Sequence, residues 1–217
     1  MRLLSCLAAL LPGPLLACDL ALALAVDVSG SVDPSEYRLQ RDGLAAALRD
    51  PVIGEALVRA RARLMVVQWT GAGRQKVTVP WVQIGNFVDV EAFAARVAAD
   101  RRVWRNFSTA IGEALLFTAG QFPAEPRCKR RLIDVSGDGV SNEGVPPGEV
   151  KARLAALDIS VNALAIEASE PELTAYFFEH VIRGEGAFVV TAARFDDYPA
   201  RIRLKLLREV TLQTAAR

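Results

Sequence analysis

Six stretches of the chain are rich in apolar residues, and polar or glycine-rich segments separate them. Residues 20–26 are apolar without alternation, the pattern of a strand buried on both faces in a covered parallel sheet. Residues 64–69, 76–82, 132–135, 159–166 and 187–190 supply five more strands. The stretch at 76–82 follows Thr70-Gly71-Ala72-Gly73-Arg74, whose glycines suit a hairpin-like reversal. It is therefore expected to run antiparallel at one edge.

Helical spacing fills the intervals. Asp33-Pro34-Ser35-Glu36 combines a capping aspartate, a proline suited to the first turn and a glutamate that completes a capping box. Tyr37, Leu44 and Leu48 then recur at helical spacing. Further helices are expected at 90–99, 109–121, 147–157, 170–181 and 196–210. Strands alternating with helices predict a doubly wound α/β fold with a mostly parallel six-stranded sheet and one antiparallel edge strand. The 217 residues suit one such domain.

Composition narrows the function classes. Net charge is +1, and no run of lysine or arginine asks for nucleic acid or an anionic membrane. Residues 1–17 read as a secretory signal peptide, with Arg2, an apolar stretch at 3–11 and Pro12-Gly13-Pro14 before Leu15-Leu16-Ala17. That stretch is shorter than the roughly 18 residues of a spanning helix, so no transmembrane segment is expected. The expected destination is the periplasm or the exterior. Leu15-Leu16-Ala17-Cys18 also resembles a lipoprotein processing box, which leaves a lipid anchor at Cys18 as the alternative. Removal of the leader leaves Cys18 and Cys128, enough for one disulfide in an oxidising compartment.

The chemistry gathers where strands hand over to helices. Asp27-x-Ser29-x-Ser31 puts one carboxylate and two hydroxyls on the loop after the first strand, at the sheet edge where open α/β folds bind ligands. Such hard oxygen donors suit Mg2+, Mn2+ or Ca2+. The segment resembles the first part of the metal-ion-dependent adhesion site of von Willebrand factor A-like domains. Two further elements of that family follow in order: Thr109 in Thr109-Ala110-Ile111-Gly112-Glu113, and Asp138 in Ser136-Gly137-Asp138-Gly139. The likeness spans residues 18–210 and is closest to an exported bacterial subgroup, DUF1194-like, with the Ala25-Val26-Asp27-Val28-Ser29 opening. One departure stands out. The family aspartate usually follows a threonine, whereas Gly137 precedes Asp138 here, and Ser136 is the expected substitute hydroxyl.

The resemblance implies that Ser29 and Ser31 bind the ion through their hydroxyls, Thr109 directly or through water, and Asp27 and Asp138 mainly through water. It implies an open coordination position for a carboxylate of a partner protein, hence a binding module. Trp104, Arg105 and Asn106, just before Thr109, are candidate partner contacts. The rival class is a magnesium-dependent hydrolase or phosphoryl-transfer enzyme. Against it, Asp27 has no second aspartate two residues on, and neither a Gly-x-Ser-x-Gly elbow nor a phosphate-binding loop occurs. In the implied fold the first and fourth strands are neighbours. Cys18 lies nine positions before Asp27 and Cys128 ten before Asp138, which brings both cysteines to the entry end of adjacent strands and predicts a Cys18–Cys128 disulfide.

Overall fold

In β1 (Leu20–Asp27) leucine and alanine alternate, and the whole strand is buried. Leu20, Leu22, Leu24 and Val26 enter one core, while Ala21, Ala23 and Ala25 enter a second core on the opposite face. Large residues on one side and small ones on the other set different depths for the two helical layers. The computed structural model describes residues 18–124 and 128–211. The expected leader at 1–17 lies outside the described residues.

The remaining elements follow as α1 (Pro34–Leu48), α2 (Pro51–Arg59), β2 (Arg63–Trp69), β3 (Gln75–Gln83), α3 (Phe87–Ala98), α4 (Ile111–Gly120), β4 (Arg130–Gly137), α5 (Pro147–Ala156), β5 (Ser160–Ile166), α6 (Leu173–Tyr176), β6 (Val189–Ala192) and α7 (Tyr198–Thr211). The strand order is β3-β2-β1-β4-β5-β6. Every ladder is parallel except β2–β3, as the hairpin glycines predict. Residues of α1, α2, α3 and α7 pack on the leucine face of β1, and those of α4, α5 and α6 on the alanine face. β1 and β4 lie side by side at the sheet centre, where successive connections leave in opposite directions. This switch point opens a crevice at the strands' carboxyl ends.

Several boundaries differ from the sequence expectation. α2 is an extra helix, capped by Asp50 and opened by Pro51. α3 begins at Phe87 because Asn86 and Asp89 form a capping box. The expected helix at 170–181 is a single α turn at Leu173–Tyr176 followed by a π-helical turn at Phe177–Val181. β6 runs two residues later than 187–190. Among the described residues, no helix is long and apolar enough to cross a membrane.

Two features lie away from the crevice. Cys18 and Cys128 are joined by a disulfide at the entry end of β1 and β4, with Cα atoms 4.6 Å apart. On the α7 face, Lys205 is wholly buried between two carboxylates, 2.6 Å from Asp134 Oδ1 and 2.7 Å from Glu209 Oε1. Asn162 also donates to Glu209 Oε1 at 3.0 Å. Burial first, and then the Asp134 charge, pushes the Glu209 carboxyl up to about 8.

Candidate metal centre

Each strand end at the switch point delivers one part of an oxygen cluster. Asp27 closes β1 with its side chain fully buried. The chain then turns back on it: the Ser29 N–H donates to Asp27 Oδ1 at 2.7 Å. That turn brings Ser29 Oγ within 3.2 Å of Ser31 Oγ, and Ser31 Oγ donates to Asp138 Oδ1 at 2.7 Å across 107 residues of sequence. Asp33 caps α1 immediately afterwards, as expected, with Glu36 completing the box. The loop is thus held at both ends, and its hydroxyls are aimed inward.

Thr109 reaches the same edge by a different route. It does not open α4, which starts at Ile111 after an Ala110 cap that lacks a side-chain hydrogen bond. Thr70, at the end of β2, grips the chain on either side of it: its hydroxyl donates to the Ser108 carbonyl, and its carbonyl accepts from the Ala110 N–H. Asn142 supplies the other clamp. Its side-chain oxygen accepts from the Thr109 N–H at 2.9 Å, and its own N–H donates to the Thr109 carbonyl. The loop after β4 is thereby laced to Thr109, and a Cβ placed on Gly139 would lie 3.9 Å from Thr109 Oγ1. Gly112 permits this approach, since a side chain there would collide with the Val145 carbonyl.

The electrostatics are those of a site short of positive charge. Burial, followed by the nearby Asp138 charge, pushes the Asp27 carboxyl up to about 8. Burial raises Asp138 as well. Asp27 Oδ2 is buried and no protein donor reaches it, a costly condition for a carboxylate oxygen. A divalent cation would satisfy that oxygen, and the donor set of two carboxylates and three hydroxyls suits a hard ion.

One expectation is corrected. Ser136 does not supply a hydroxyl to the site. β4 alternates, so its side chain points to the α7 face, where it shares a hydrogen bond with Tyr198.

Around the cluster runs the segment 101–107. Gln68, a polar residue in an otherwise apolar strand, holds it by donating to Asp100 Oδ2 and the Arg101 carbonyl and accepting from the Val103 N–H. Arg102 donates to the Val28 and Ser29 carbonyls at 3.0 and 2.7 Å, and the Gly30 N–H donates to the Phe107 carbonyl at 2.7 Å. Burial lowers the Arg102 pKa. Trp104 is half-buried and packs against the core on the leucine face. Arg105 and Asn106 are exposed, and Asn106 has a φ of 57°. Phe107 is exposed too, with the Arg74 guanidinium 4.1 Å from its ring centre. No sequence signal singles out Asn142 or Phe107, whereas the polar Gln68 inside β2 is a signal for the tether of this segment.

A family model described as "Protein of unknown function (DUF1194)" matches residues 17–214. The chain belongs to the DUF1194 family. Among curated proteins none matches this DUF1194 chain by sequence. Solved structures do match by fold. Proximal thread matrix protein 1 from the mussel byssus, in a structure described as having a zinc-occupied MIDAS motif, aligns with a TM-score of 0.65 at 20% identity over 88% of this chain and 48% of its own. A von Willebrand factor type A protein from Catenulispora acidiphila gives 0.60 at 17% identity over 89% and 43%. The pilus adhesin SpaC from Lactobacillus rhamnosus GG gives 0.62 at 14% identity over 89% and 30%. The DUF1194 chain thus has the von Willebrand factor A-like fold and spans about half the length of the mussel protein.

Proposed function

We propose that this DUF1194 protein is an exported, divalent-metal-dependent protein-binding module and not an enzyme. The observation that carries the reading is the buried, undonated Asp27 Oδ2, on a carboxylate that neighbours Ser29, whose hydroxyl lies beside Ser31 and through it Asp138. Ser29 and Ser31 would hold the ion through hydroxyls, Thr109 directly or through water, and Asp27 and Asp138 mainly through water. When bound, the ion supplies a positive point to which a partner carboxylate can attach. Mg2+ is the expected ion, with Mn2+ or Ca2+ as substitutes.

The protein's own contribution is positioning. The Ser29 N–H fixes Asp27, Ser31 fixes Asp138, and Asn142 with Thr70 fixes Thr109. Arg105, Asn106 and Phe107 offer an exposed basic and aromatic rim beside the cluster, with Trp104 packed beneath it. An acidic partner surface suits that rim. The mussel matrix protein and the pilus adhesin that share the fold support an adhesive role. The leader-like residues 1–17 support export to the periplasm or beyond.

Manganese resonance on the mature protein tests the site. One weakly bound ion is expected, lost in Asp27→Ala and Asp138→Ala. No binding to wild type, or unchanged binding in both variants, would overturn the assignment. Capture of a periplasmic partner in magnesium, abolished by chelator and by Asp27→Ala, tests the purpose.

A further inference from the structure

The two edges of the sheet are treated differently. At one edge, β3 carries exposed Lys76 and Pro80, and its ladder with β2 is broken by register shifts between Leu64 and Val67. These devices discourage pairing with another strand. At the other edge, β6 reads Val189-Val190-Thr191-Ala192, without charge, proline or bulge.

The backbone of β6 is half used. The Ala163 N–H donates to the Phe188 carbonyl and the Glu167 N–H to the Ala192 carbonyl. In a parallel ladder, alternate residues direct both backbone groups to the same neighbour. Phe188, Val190 and Ala192 therefore face β5, and Val189 and Thr191 turn their N–H and C=O groups outward. No hydrogen bond from those four groups to another part of the described chain is found.

Beside this bare edge runs an open groove of about 930 Å³. One wall is α6 and the π-helical turn, where Phe177 packs into the core and Phe178 is left 67% exposed. π turns of this kind recur at functional sites. Glu172 and Glu179 stand on the same wall. The opposite wall is Phe188, with the Arg208 guanidinium stacked 3.8 Å from its ring centre. The walls thus differ: one carries Glu172, Glu179 and the exposed Phe178 ring, and the other the buried Phe188 ring beneath the Arg208 guanidinium.

We infer that β6 is a docking edge for an extended peptide segment of another protein. The segment carries lysine or arginine on the side facing Glu172 and Glu179 and apolar residues on the side facing Phe188. Main-chain pairing with Val189 and Thr191 supplies affinity, and the alternating side chains supply selection. Antiparallel pairing of β6 with β6 of a second copy would bring Glu172 and Glu179 against their own equivalents, which favours a basic segment of another protein. The site is independent of the metal centre.

The test uses the mature protein and the capped hexapeptide Lys-Val-Lys-Val-Lys-Val. Amide exchange at Val189 and Thr191 is expected to slow by about tenfold or more at saturation. The same peptide with glutamate for lysine should bind about tenfold more weakly. Val189→Pro removes one outward N–H at the first residue of the strand, where proline is tolerated, and should weaken binding without changing the melting temperature. Glu172→Lys with Glu179→Lys should reverse the preference between the two peptides. Chelator should change nothing. Equal binding of both peptides, no protection at Val189 and Thr191, or binding that chelator abolishes would overturn the inference. So would protection of the same amides by dimerisation of the protein alone.

Discussion

Gly137 stands level with Asp27 across the β1–β4 ladder, and a Cβ added to it would lie 3.1 Å from Asp27 Oδ2 and 3.4 Å from atoms of Phe177 and Trp69. The residue before Asp138 is a glycine because the space beside the carboxylate is already taken. Gly137→Ala, and more so Gly137→Thr, should push Asp27 out of position. The expected cost is about 1–3 kcal/mol of stability from overpacking, with manganese affinity reduced about tenfold, a change of about 1.4 kcal/mol. Urea unfolding and manganese titration check the two effects separately, and unchanged affinity in Gly137→Thr would contradict the crowding.

Asp27 should trade stability for binding. Its carboxyl holds a proton more tightly in the folded protein, at about 8, than in the unfolded chain, near 3.8. The folded state therefore binds more protons across that interval, and metal-free stability falls as pH rises through it. Asp27→Asn removes that decline. Without metal, its melting temperature should gain on wild type progressively from pH 5 to pH 8, while manganese binding is lost. A constant difference across that range would refute the argument.

Chelation alone should leave the fold intact. The cluster lies on loops at the sheet edge, and weak binding stabilises by only about 1.4 kcal/mol at a tenfold excess over the dissociation constant. Circular dichroism before and after chelator is expected to superimpose. Unfolding at room temperature would be incompatible with this.

The Lys205 cluster should respond unequally to its two ends. One cation sits between Asp134 and Glu209, and burial, followed by the Asp134 charge, raises the Glu209 carboxyl towards its neutral form. Lys205→Met leaves a buried carboxylate uncompensated and should cost about 3–5 kcal/mol. Glu209→Gln keeps the neutral partner and should cost far less at pH 7. Denaturant midpoints of the two variants decide it, and equal losses would mean that Glu209 is ionised.

Reduction of the Cys18–Cys128 bridge should destabilise the protein without touching the metal centre. The bridge closes a separation of 110 residues, for which chain entropy gives about 4.7 kcal/mol, with measured losses commonly about 2–5 kcal/mol. Mass spectrometry of non-reduced digests of exported protein is expected to show the linked peptides. Free thiols at both positions, or a lipid on Cys18, would exclude the bridge.

The sheet was legible because β1 is apolar on both faces over seven residues and β2 and β5 carry shorter apolar runs, lengths that suit a doubly covered strand and are short for a helix. The juxtaposition of Asp27, Ser29 and Ser31 with Asp138 was legible because these residues end or follow β1 and β4, so local order in the sequence maps onto one edge in space, whereas Thr109 follows no strand. What stayed hidden depends on contacts distant in sequence. The polar Gln68 inside β2 marks the tether of the 101–107 segment, yet its partners lie 31 to 35 residues away. Asp134 and Lys205, which interrupt apolar patterns, meet only when α7 closes on β4. The short α2 was missed because nine residues give little periodicity, although Asp50-Pro51 is a start signal. The 170–181 stretch is not one regular helix: a π turn at Phe177–Val181 follows a single α turn, and no local signal in the sequence marks the change.

The disulfide and the oxygen cluster lie beyond opposite ends of β1, with nine residue steps from Cys18 to Asp27, about 30 Å at about 3.3 Å per residue. A partner held at the cluster would therefore pull along β1 lengthwise, away from the bridged end. β1 is bonded on both sides, to β2 and β4, so the load acts in shear on many hydrogen bonds at once instead of peeling them singly. The Cys18–Cys128 link passes part of the tension covalently into β4, the strand that also carries Asp138. Mechanically, the two central strands are hydrogen-bonded along their length and crosslinked at the end opposite the oxygen cluster.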